Sequence, residues 1–327
     1  MDNFLQLTSD YFLSRKACSF DTNVQLIITN IDTDEIKTKV LKKIELFFGD
    51  VDCIQKDNSI ITMPKDLIEK TRFGYSDLVE IIYRLRDKDG CPWDKAQTPT
   101  TIRENIIEEA YELVDAINNK DIINMKEETG DVLLQSVFTS VMTEQENLYN
   151  HIDVITSLCQ KLIFRHTHIF GKDKANNADE ALSFWEKAKA TEKGQKNVID
   201  KLDSIPNSFT SLQKANKIQK YVSKVNFEFP NDKEAIDKIY EEIEEFKNAD
   251  PNEKENEAGD ILFSVVNIIR RANIDPEVAL SKTNKKFKNR FLTMYKLIES
   301  DKKDIKKLTI EELDTYYNKA KEILKNK

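Results

Sequence analysis

The chain has 327 residues, a formal net charge of −8 and 33% charged residues. Glycine and proline occur only seven times each, a composition that favours long solvated helices over a β-sandwich or a doubly wound sheet, and the length suggests two or three domains. The acidic balance excludes a general basic surface for nucleic acid, and no apolar stretch is long enough to cross a membrane, so we expect a cytoplasmic protein that binds neither.

Residues 1–73 are predicted to form a small α+β segment. Val24–Ile31 is rich in β-branched residues and is predicted as a strand, followed by a helix over Asp34–Phe48 and strands at Asp52–Gln55 and Ser59–Met63. We expect so short a segment to have little core of its own. The charged first twenty residues lack the apolar run of a signal peptide.

Helical periodicity dominates from Ser76 onward, with Ser76 as the expected N-cap of the first helix. The predicted helices are Ser76–Arg86, Thr101–Asn118, Asp121–Asn147, His151–Phe164, Ala178–Thr191, Ser208–Val225, Asp232–Asn248, Asn252–Ala272, Pro276–Ile298 and Ile310–Leu324. A loop is predicted over 89–94 and a polar linker over 193–206. The chain is therefore predicted to be all-α after its first segment, with one helical domain over 76–192 and another over 207–327.

One acidic pattern occurs twice, in the same order relative to other motifs, as an internal repeat would place it. The first copy consists of Glu108, Glu109 and Glu112 followed by Glu128, Gly130 and Asp131, and the second of Glu241, Glu242 and Glu245 followed by Glu257, Gly259 and Asp260. Carboxylates on two neighbouring helices repel each other unless a cation lies among them. Sets of ligands made only of oxygen favour hard divalent cations, above all Mg²⁺.

The helical periodicity of the first copy also predicts which side chains are buried. One helix face carries Ile106, Ala110, Leu113, Val114 and Ile117, and the acidic pattern lies on its flank. The alternative is that the glutamates only decorate solvated helices. The two glycines argue against it, because glycine inside a helix costs about 1 kcal/mol relative to alanine, and they predict close helix packing beside each aspartate.

Cationic and aromatic side chains follow each acidic pattern at helical spacing. The pairs are Lys161 with Arg165, Trp185 with Lys189, Lys286 with Arg290, and Tyr317 with Lys321. Cations one turn apart suit a polyphosphate, and a ring beside a lysine suits a base and a phosphate. An ordinary solvated face, or an aromatic ring packed in a core or a dimer interface, remains the alternative for each pair.

Other candidate chemistry is weaker. His166 and His168 could bind zinc but lack an obvious third ligand, so a structural role is expected. The chain has no Gly-x-x-x-x-Gly-Lys loop of a P-loop enzyme and no adjacent His-Asp pair of an HD-type phosphohydrolase. The cysteines are scattered along the sequence without the spacing of metal ligands, so we expect them to be reduced thiols. The four cysteines are Cys18, Cys53, Cys91 and Cys159.

These motifs together resemble the MazG family of nucleoside triphosphate pyrophosphohydrolases, over about residues 76–325. The matching stretches are Leu85-Arg86-Asp87 with Cys91-Pro92-Trp93-Asp94-Lys95-x-Gln97-Thr98, both acidic patterns, Arg165-His166-x-His168-x-Phe170, Trp185-Glu186-x-x-Lys189, Lys214-x-x-x-Ile218-Gln219-Lys220 and Asn284-x-Lys286-Phe287-x-x-Arg290-Phe291. The resemblance implies two tandem MazG-like domains of an all-α, homodimeric fold with metal sites like those of four-helix bundles. It also implies hydrolysis of a nucleoside triphosphate to the monophosphate and pyrophosphate.

The resemblance assigns roles to these residues. Glu242, Glu245, Glu257 and Asp260 would bind Mg²⁺, with Mn²⁺ as a substitute, and Glu109, Glu112, Glu128 and Asp131 would be their first-domain equivalents. Lys286 and Arg290 would hold phosphates, with Tyr317, Lys321, Lys161, Arg165, Trp185 and Lys189 as further substrate-binding residues. As a separate hypothesis about the mechanism, Glu241 or Glu108 would accept the proton of the attacking water. The second domain is expected to be the main catalytic one.

Two departures from the family pattern matter. Tyr317 stands where the family more often has tryptophan, and residues 1–73 weakly resemble only the tail of a tetrapyrrole methylase domain, so no methyltransferase activity is expected. Two other functions stay open. One is a catalytically inactive helical module that senses nucleotides or binds proteins, and the other is a structural protein whose acidic stripes pair with lysine-rich helices.

Overall fold

The computed structural model describes residues 4–16, 20–21, 23–195 and 197–325. The chain divides into two compact units, Met1–Phe164 and Arg165–Lys327. Most of the described residues are helical, and a single small sheet lies at the start of the first unit. None of the helices in these described ranges is both long and apolar enough to cross a membrane.

The sheet at the start of the first unit has four strands in the order β1-β2-β4-β3. Strands β1 and β2 are parallel, and the other pairs are antiparallel. The strands are β1 Phe4–Thr8, β2 Gln25–Thr29, β3 Asp52–Lys56 and β4 Ser59–Met63, and helices α1 Ser9–Ser14 and α2 Asp34–Phe48 accompany them. The expectation of little core is wrong, because Phe12, Leu26, Ile28 and Val40 are fully buried among other apolar side chains.

The rest of the first unit is helical. Its helices are α3 Tyr75–Arg86, α4 Pro92–Ala96, α5 Arg103–Asn119, α6 Ile122–Gln145 and α7 His151–Arg165, the last of which ends at the boundary between the units. Helices α5 and α6 form an antiparallel hairpin, and α3 also packs on α6. Seven buried side chains, from α3, from α6 and from the residue that precedes α5, make the core of this region: Val79, Ile82, Ile102, Val137, Phe138, Val141 and Met142.

The second unit is made of helices joined by short connections. They are α8 Thr167–Phe170, α9 Ala178–Glu192, α10 Val198–Asp203, α11 Ser211–Val222, α12 Asp232–Asn248, α13 Lys254–Arg271, α14 Pro276–Ser300 and α15 Ile310–Lys325. Helices α12 and α13 form one hairpin, and α14 and α15 form another. Helix α11 packs on α13 and α14. A small core of Met294, Ile298, Tyr316 and Ala320 joins α14 to α15.

Several expectations about local structure are wrong. The predicted N-cap Ser76 lies inside α3, which begins at Tyr75, where the Asp77 carboxylate accepts a hydrogen bond from the Gly74 amide at 2.7 Å. The predicted loop at 89–94 overlaps α4. The linker at 193–206 stays a prediction, and α10 lies within it. Helix α10 has its own start signal, because Asn197 and Asp200 cap it reciprocally. Strand β1 and helices α1 and α8 were not predicted.

The predicted buried face of α5 is largely exposed within the described chain. Ile117 is 51% exposed, and Ile106, Ala110 and Val114 are also exposed, while only Ala116 is buried on this helix. The packing explains the difference, because α6 is the main neighbour of α5. Helix α7 is similar, with most of its apolar side chains exposed, Ile152 and Ile163 among them.

Candidate carboxylate and nucleotide site

The first acidic cluster lies across the α5–α6 hairpin. Carboxylate oxygens of Glu109, Glu112 and Glu128 come within 4.8 Å of one another. Glu109 and Glu112 lie one turn apart on α5, and Glu128 comes from α6. The hairpin reverses at Lys120, which adopts the left-handed conformation with φ of 56° and ends α5, and the Asp121 side chain then caps α6.

Repulsion and burial act on this cluster together. Glu128 is only 7% exposed. Burial and then the neighbouring Glu112 and Asp131 raise its pKa above the ordinary value, and burial followed by Asp131 and Glu112 does the same for the pKa of Glu109. Asp131 therefore lies within electrostatic reach of the cluster, although it is outside the group of three. Glu108 is exposed.

The second acidic cluster lies at the corresponding place on the α12–α13 hairpin. Oxygens of Glu242, Glu257 and Asp260 come within 4.8 Å of one another. Glu242 is buried, and Asp260 is exposed. Glu245 is not in this group of three, but a hydrogen bond with the Glu242 carboxyl is the main cause of a raised pKa at Glu245. The structure thus brings both predicted ligand sets together. In each set three carboxylates lie within 4.8 Å of one another, and the fourth, Asp131 or Glu245, lies beside them.

A lysine distinguishes the second cluster from the first. The Lys238 ammonium lies 2.7 Å from a carboxylate oxygen of Glu241 and 2.8 Å from one of Glu242. These two hydrogen bonds raise the pKa of Lys238, which keeps it charged. Sequence analysis missed this residue, although its spacing of three and four residues before the two glutamates is the pattern of helical ion pairs.

The expectation of close helix packing at the two glycines is wrong. A Cβ atom added to Gly130 or to Gly259 would meet no other heavy atom within 4 Å among the described residues. Both glycines therefore lie next to open space beside the aspartates of the clusters. Their lack of a side chain is not required by any contact within the described chain.

An apolar pocket of about 480 Å³ opens beside the second cluster. Lys238, Glu242 and Asp260 form part of its wall. The remaining lining residues come from α11, from the turn that follows it and from α13, namely Ile218, Gln219, Val222, Asn226, Phe227, Glu228, Phe229, Pro230, Phe263, Ser264 and Asn267. The carboxylates thus share one recess with a mainly apolar wall. Its volume is that of a small-molecule site.

The cations predicted for the second half line a different recess. Lys286, Arg290 and Lys321 line a pocket of about 580 Å³ between α14 and α15, together with Lys325. Lys321 also lies over the Tyr317 ring, at 5.7 Å from the ring centre. This recess shares no lining residue with the pocket beside the second cluster. The structure thus brings the predicted cations together in one place and the carboxylates in another.

The corresponding residues of the first half surround a tryptophan. The Arg165 guanidinium lies 5.3 Å and the Lys189 ammonium 4.7 Å from the centre of the Trp185 ring. Arg165 is buried and pairs with Glu192 at 2.6 Å, so its charge is already compensated. Burial and then nearby cations lower the pKa of Lys189. Lys161 lies one turn before Arg165 on α7 and is half-buried.

The weaker candidates form no metal site among the described residues. Neither group of possible metal ligands contains His166 or His168, whose rings lie 5.7 Å apart. Cys53, Cys91 and Cys159 are free thiols. Cys18 lies outside the described residues.

Two helical hairpins, each with carboxylates from both helices, make this an α-helical protein whose clusters suit hard divalent cations. A family model described as a MazG nucleotide pyrophosphohydrolase domain matches residues 97–170. Nucleoside triphosphate pyrophosphohydrolase/pyrophosphatase MazG of Thermotoga maritima is 42% identical over 248 residues, which cover 76% of this chain and 95% of that protein. The chain belongs to the MazG family.

Two further relatives show how far the similarity extends. A nucleoside triphosphate pyrophosphohydrolase of Escherichia coli is 36% identical over 251 residues, covering 75% of this chain and 95% of that protein. The uncharacterized protein YabN of Bacillus subtilis is 35% identical over 255 residues, covering 76% of this chain but 52% of YabN.

Proposed function

We propose that this protein hydrolyses nucleoside triphosphates between the α and β phosphates and releases the monophosphate and pyrophosphate. The observation that carries the proposal is the pair of carboxylate clusters, each with oxygens from two helices within 4.8 Å. The names of the Thermotoga maritima and Escherichia coli relatives describe the same reaction class and support the proposal.

Magnesium is the cofactor we propose, because the ligand atoms fit it. Each cluster offers only carboxylate oxygens, which hard cations prefer, and buried Glu128 and Glu242 have little water to solvate their charge. Glu242, Glu257 and Asp260 would hold the ion in one cluster and Glu109, Glu112 and Glu128 in the other, with Glu245 and Asp131 adjacent. When bound, Mg²⁺ supplies charge neutralisation at the phosphates and makes a bound water more acidic, and Mn²⁺ would substitute.

The side chains around the clusters perform the remaining tasks. Glu241 is exposed and next to Glu242 in sequence, and its carboxylate would accept a proton from an attacking water, as would Glu108 beside Glu109 in the first cluster. Lys238 forms ion pairs with the Glu241 and Glu242 carboxylates and so holds them in place. The recess with Lys286 and Arg290 would bind phosphate oxygens.

We also propose a homodimer of chains with two tandem MazG-like domains, over 76–192 and 207–327. Large apolar side chains are exposed on helices that carry the site, such as Leu262 at 60% and Phe287 at 57%. Large apolar side chains that are exposed together are typical of an interaction surface. A second chain would cover these side chains, and it could bring the cations of α14 and α15 to carboxylates that they do not join within one chain.

Product analysis tests the proposal. The purified chain is incubated with the common ribo- and deoxyribonucleoside triphosphates, with Mg²⁺ or with EDTA, and products are separated by ion-exchange chromatography. The expected products are monophosphate and pyrophosphate, with Mg²⁺ only. Diphosphate and inorganic phosphate would show a different bond cleavage. No turnover by folded protein would contradict the proposal and favour the inactive binding module.

A further inference from the structure

Two buried amide oxygens line the pocket beside the second cluster. Gln219 of α11 is 3% exposed, and its Oε1 atom has no hydrogen-bond partner among the described residues. The Oδ1 atom of Asn267 on α13 is likewise buried and unpartnered within this part of the chain. Both side chains are lining residues of the recess that also contains Glu242 and Asp260. A buried acceptor without a donor is costly, and it indicates that a ligand supplies the donor.

The protein fixes the orientation of both amides. The Gln219 Nε2 atom donates to the main-chain carbonyl of Phe263 at 2.8 Å, so the oxygen must be the atom left over. The Asn267 Nδ2 atom donates to a Glu228 carboxylate oxygen at 3.5 Å, and Arg270 and Arg271 hold that carboxylate in turn. Rotating either amide would place an oxygen against an oxygen. Two side chains that line the recess therefore hold fixed, unpaired acceptors, and a ligand that reaches both must donate two hydrogens.

We propose that this pocket holds the nucleobase of the substrate, and that Gln219 and Asn267 select bases with an exocyclic amino group. Such a group carries two hydrogens, as in adenine, cytosine and guanine. Uracil and hypoxanthine present a single ring N–H beside carbonyl oxygens, which would face the amide oxygens and leave an acceptor unpaired. The proposal rests on the proposed nucleotide substrate, because a triphosphate at the carboxylates would place its base in the adjoining recess.

The apolar wall would bind every base alike. Phe227 is 79% exposed at the edge of the pocket, on the turn that Asn226 forms with φ of 64°. An aromatic ring stacks on any base, since stacking does not depend on the hydrogen-bonding edge. Phe227 is therefore expected to affect the affinity for the nucleotide without affecting the selectivity between bases, in contrast to the two amides.

The test compares nucleotides that differ by one amino-to-oxo exchange. Cytidine and uridine triphosphates form one pair, and adenosine and inosine triphosphates form the other. We measure kcat/KM for each nucleotide with Mg²⁺, and the Kd of its non-hydrolysable α,β-methylene analogue by calorimetry. The amino member of each pair is expected to be favoured by roughly ten- to hundredfold, the range that one unpaired buried acceptor produces.

Three variants assign the preference to the side chains. Gln219→Leu and Asn267→Leu should each bring the ratio within a pair close to one. Phe227→Ala should weaken binding of both members by about tenfold and leave their ratio unchanged. Asn248→Leu removes an exposed amide from the end of α12 and is the matched control. Thermal melting checks that each variant is folded.

The outcomes separate the two proposals. Equal kcat/KM and equal Kd within each pair of the wild-type protein would overturn base selection while leaving pyrophosphohydrolysis intact. If the protein discriminated between sugars by their hydroxyl groups but not between bases, base selection would also be overturned, since the amides would then contact the sugar. Base-selective binding of the analogues without any turnover would overturn the proposed reaction and keep the base pocket. Absence of nucleotide binding would overturn both.

Discussion

Lys238 and Asn105 hold the same place in the two halves of the chain. Each precedes by four residues the first glutamate of its cluster, Glu242 or Glu109. Lys238 forms ion pairs with its cluster, whereas an asparagine cannot supply a charge. The carboxylates of the second cluster are therefore partly neutralised within the chain, and those of the first depend on protons or on a cation from solution.

Removing the lysine should strengthen cation binding at the second cluster. In Lys238→Met we expect the affinity for Mg²⁺ alone to rise by about five- to thirtyfold, since like-charge repulsion at this range amounts to roughly 1–2 kcal/mol in solvent-like surroundings. Calorimetric titration of the nucleotide-free protein measures it. Lys247→Met removes an exposed lysine from the same helix and should leave the affinity unchanged. Weaker binding in Lys238→Met would show that the ammonium does not oppose the ion.

Gly259 should tolerate a methyl group within its own chain. Gly259→Ala is expected to raise the free energy of unfolding by about 0.5–1 kcal/mol, because alanine favours the helix and the added Cβ meets nothing within 4 Å. Urea denaturation measures the change. A loss of turnover in this more stable variant would mean that substrate or a partner chain uses the space, and a loss of stability would contradict the expectation.

At the scale of elements, the sequence predicted helices well where periodicity and end signals agree. The bounds of α2 and α12 are those predicted. A threonine caps the start of α2, which ends at the Gly49 turn, and an asparagine caps the start of α12, which ends at Ala249. The exposed face of α5 was not predictable in this way. Periodicity shows that a helix has an apolar face, but it does not tell whether the same chain or another one covers it.

The carboxylate clusters were predictable for a related reason, and the pocket was not. Helical spacing places Glu109 beside Glu112, and a short connection brings the next helix alongside. The pocket instead combines α11, the turn at Asn226 and two further helices. Its two unpaired amide oxygens depend on where the Phe263 carbonyl and the Glu228 carboxylate lie, and only the tertiary structure gives those positions.

The two hairpins should contribute unequally to turnover. Glu242→Gln is expected to lower kcat by at least a hundredfold, because it removes a proposed metal ligand and the partner of Lys238 in the cluster that adjoins the proposed base pocket. Glu128→Gln should leave most of the activity. Initial rates with Mg²⁺ test both, and Glu244→Gln and Glu104→Gln, which alter exposed glutamates of α12 and α5, are the matched controls. The reverse ranking would make the first cluster the main site.

At the scale of the whole molecule, the exposed apolar side chains predict association. Leu262→Asp should shift the proposed dimer to monomers, since an aspartate cannot be buried in an apolar interface without a partner. Sedimentation velocity over a range of concentrations measures the shift. Lys247→Asp, which changes an exposed residue, is measured at the same ionic strength and controls for the added negative charge. A wild-type protein that stays monomeric at high concentration would contradict the prediction.

The raised carboxyl pKa values predict how pH and magnesium affect stability. The folded chain binds protons at Glu109 and Glu128 more tightly than the unfolded chain, so their contribution favours folding in acid and is lost as pH rises above the ordinary value of 4.5. In the proposed metal site, Mg²⁺ would take the place of those protons. The rise in Tm caused by Mg²⁺ should therefore grow from acid to neutral pH.

Melting curves with and without Mg²⁺ across this pH range provide the measurement. Glu128→Gln removes one of the two titrating groups and should flatten the pH dependence of the Mg²⁺ effect, while Glu104→Gln should leave it unchanged. An increment in Tm that is the same at every pH would show that ion binding is not linked to these protons.

The lysine that enters only one of the two clusters has a consequence for the order of loading. With a resident positive charge at Lys238 and none at Asn105, we expect the two clusters to differ in midpoint, so that a titration of the chain with Mg²⁺ proceeds in two steps, the α5–α6 cluster first. Between those midpoints the chain exists as a half-filled species. At a low concentration of Mg²⁺, the second half of the chain would then lose its activity while the first cluster still holds its ion.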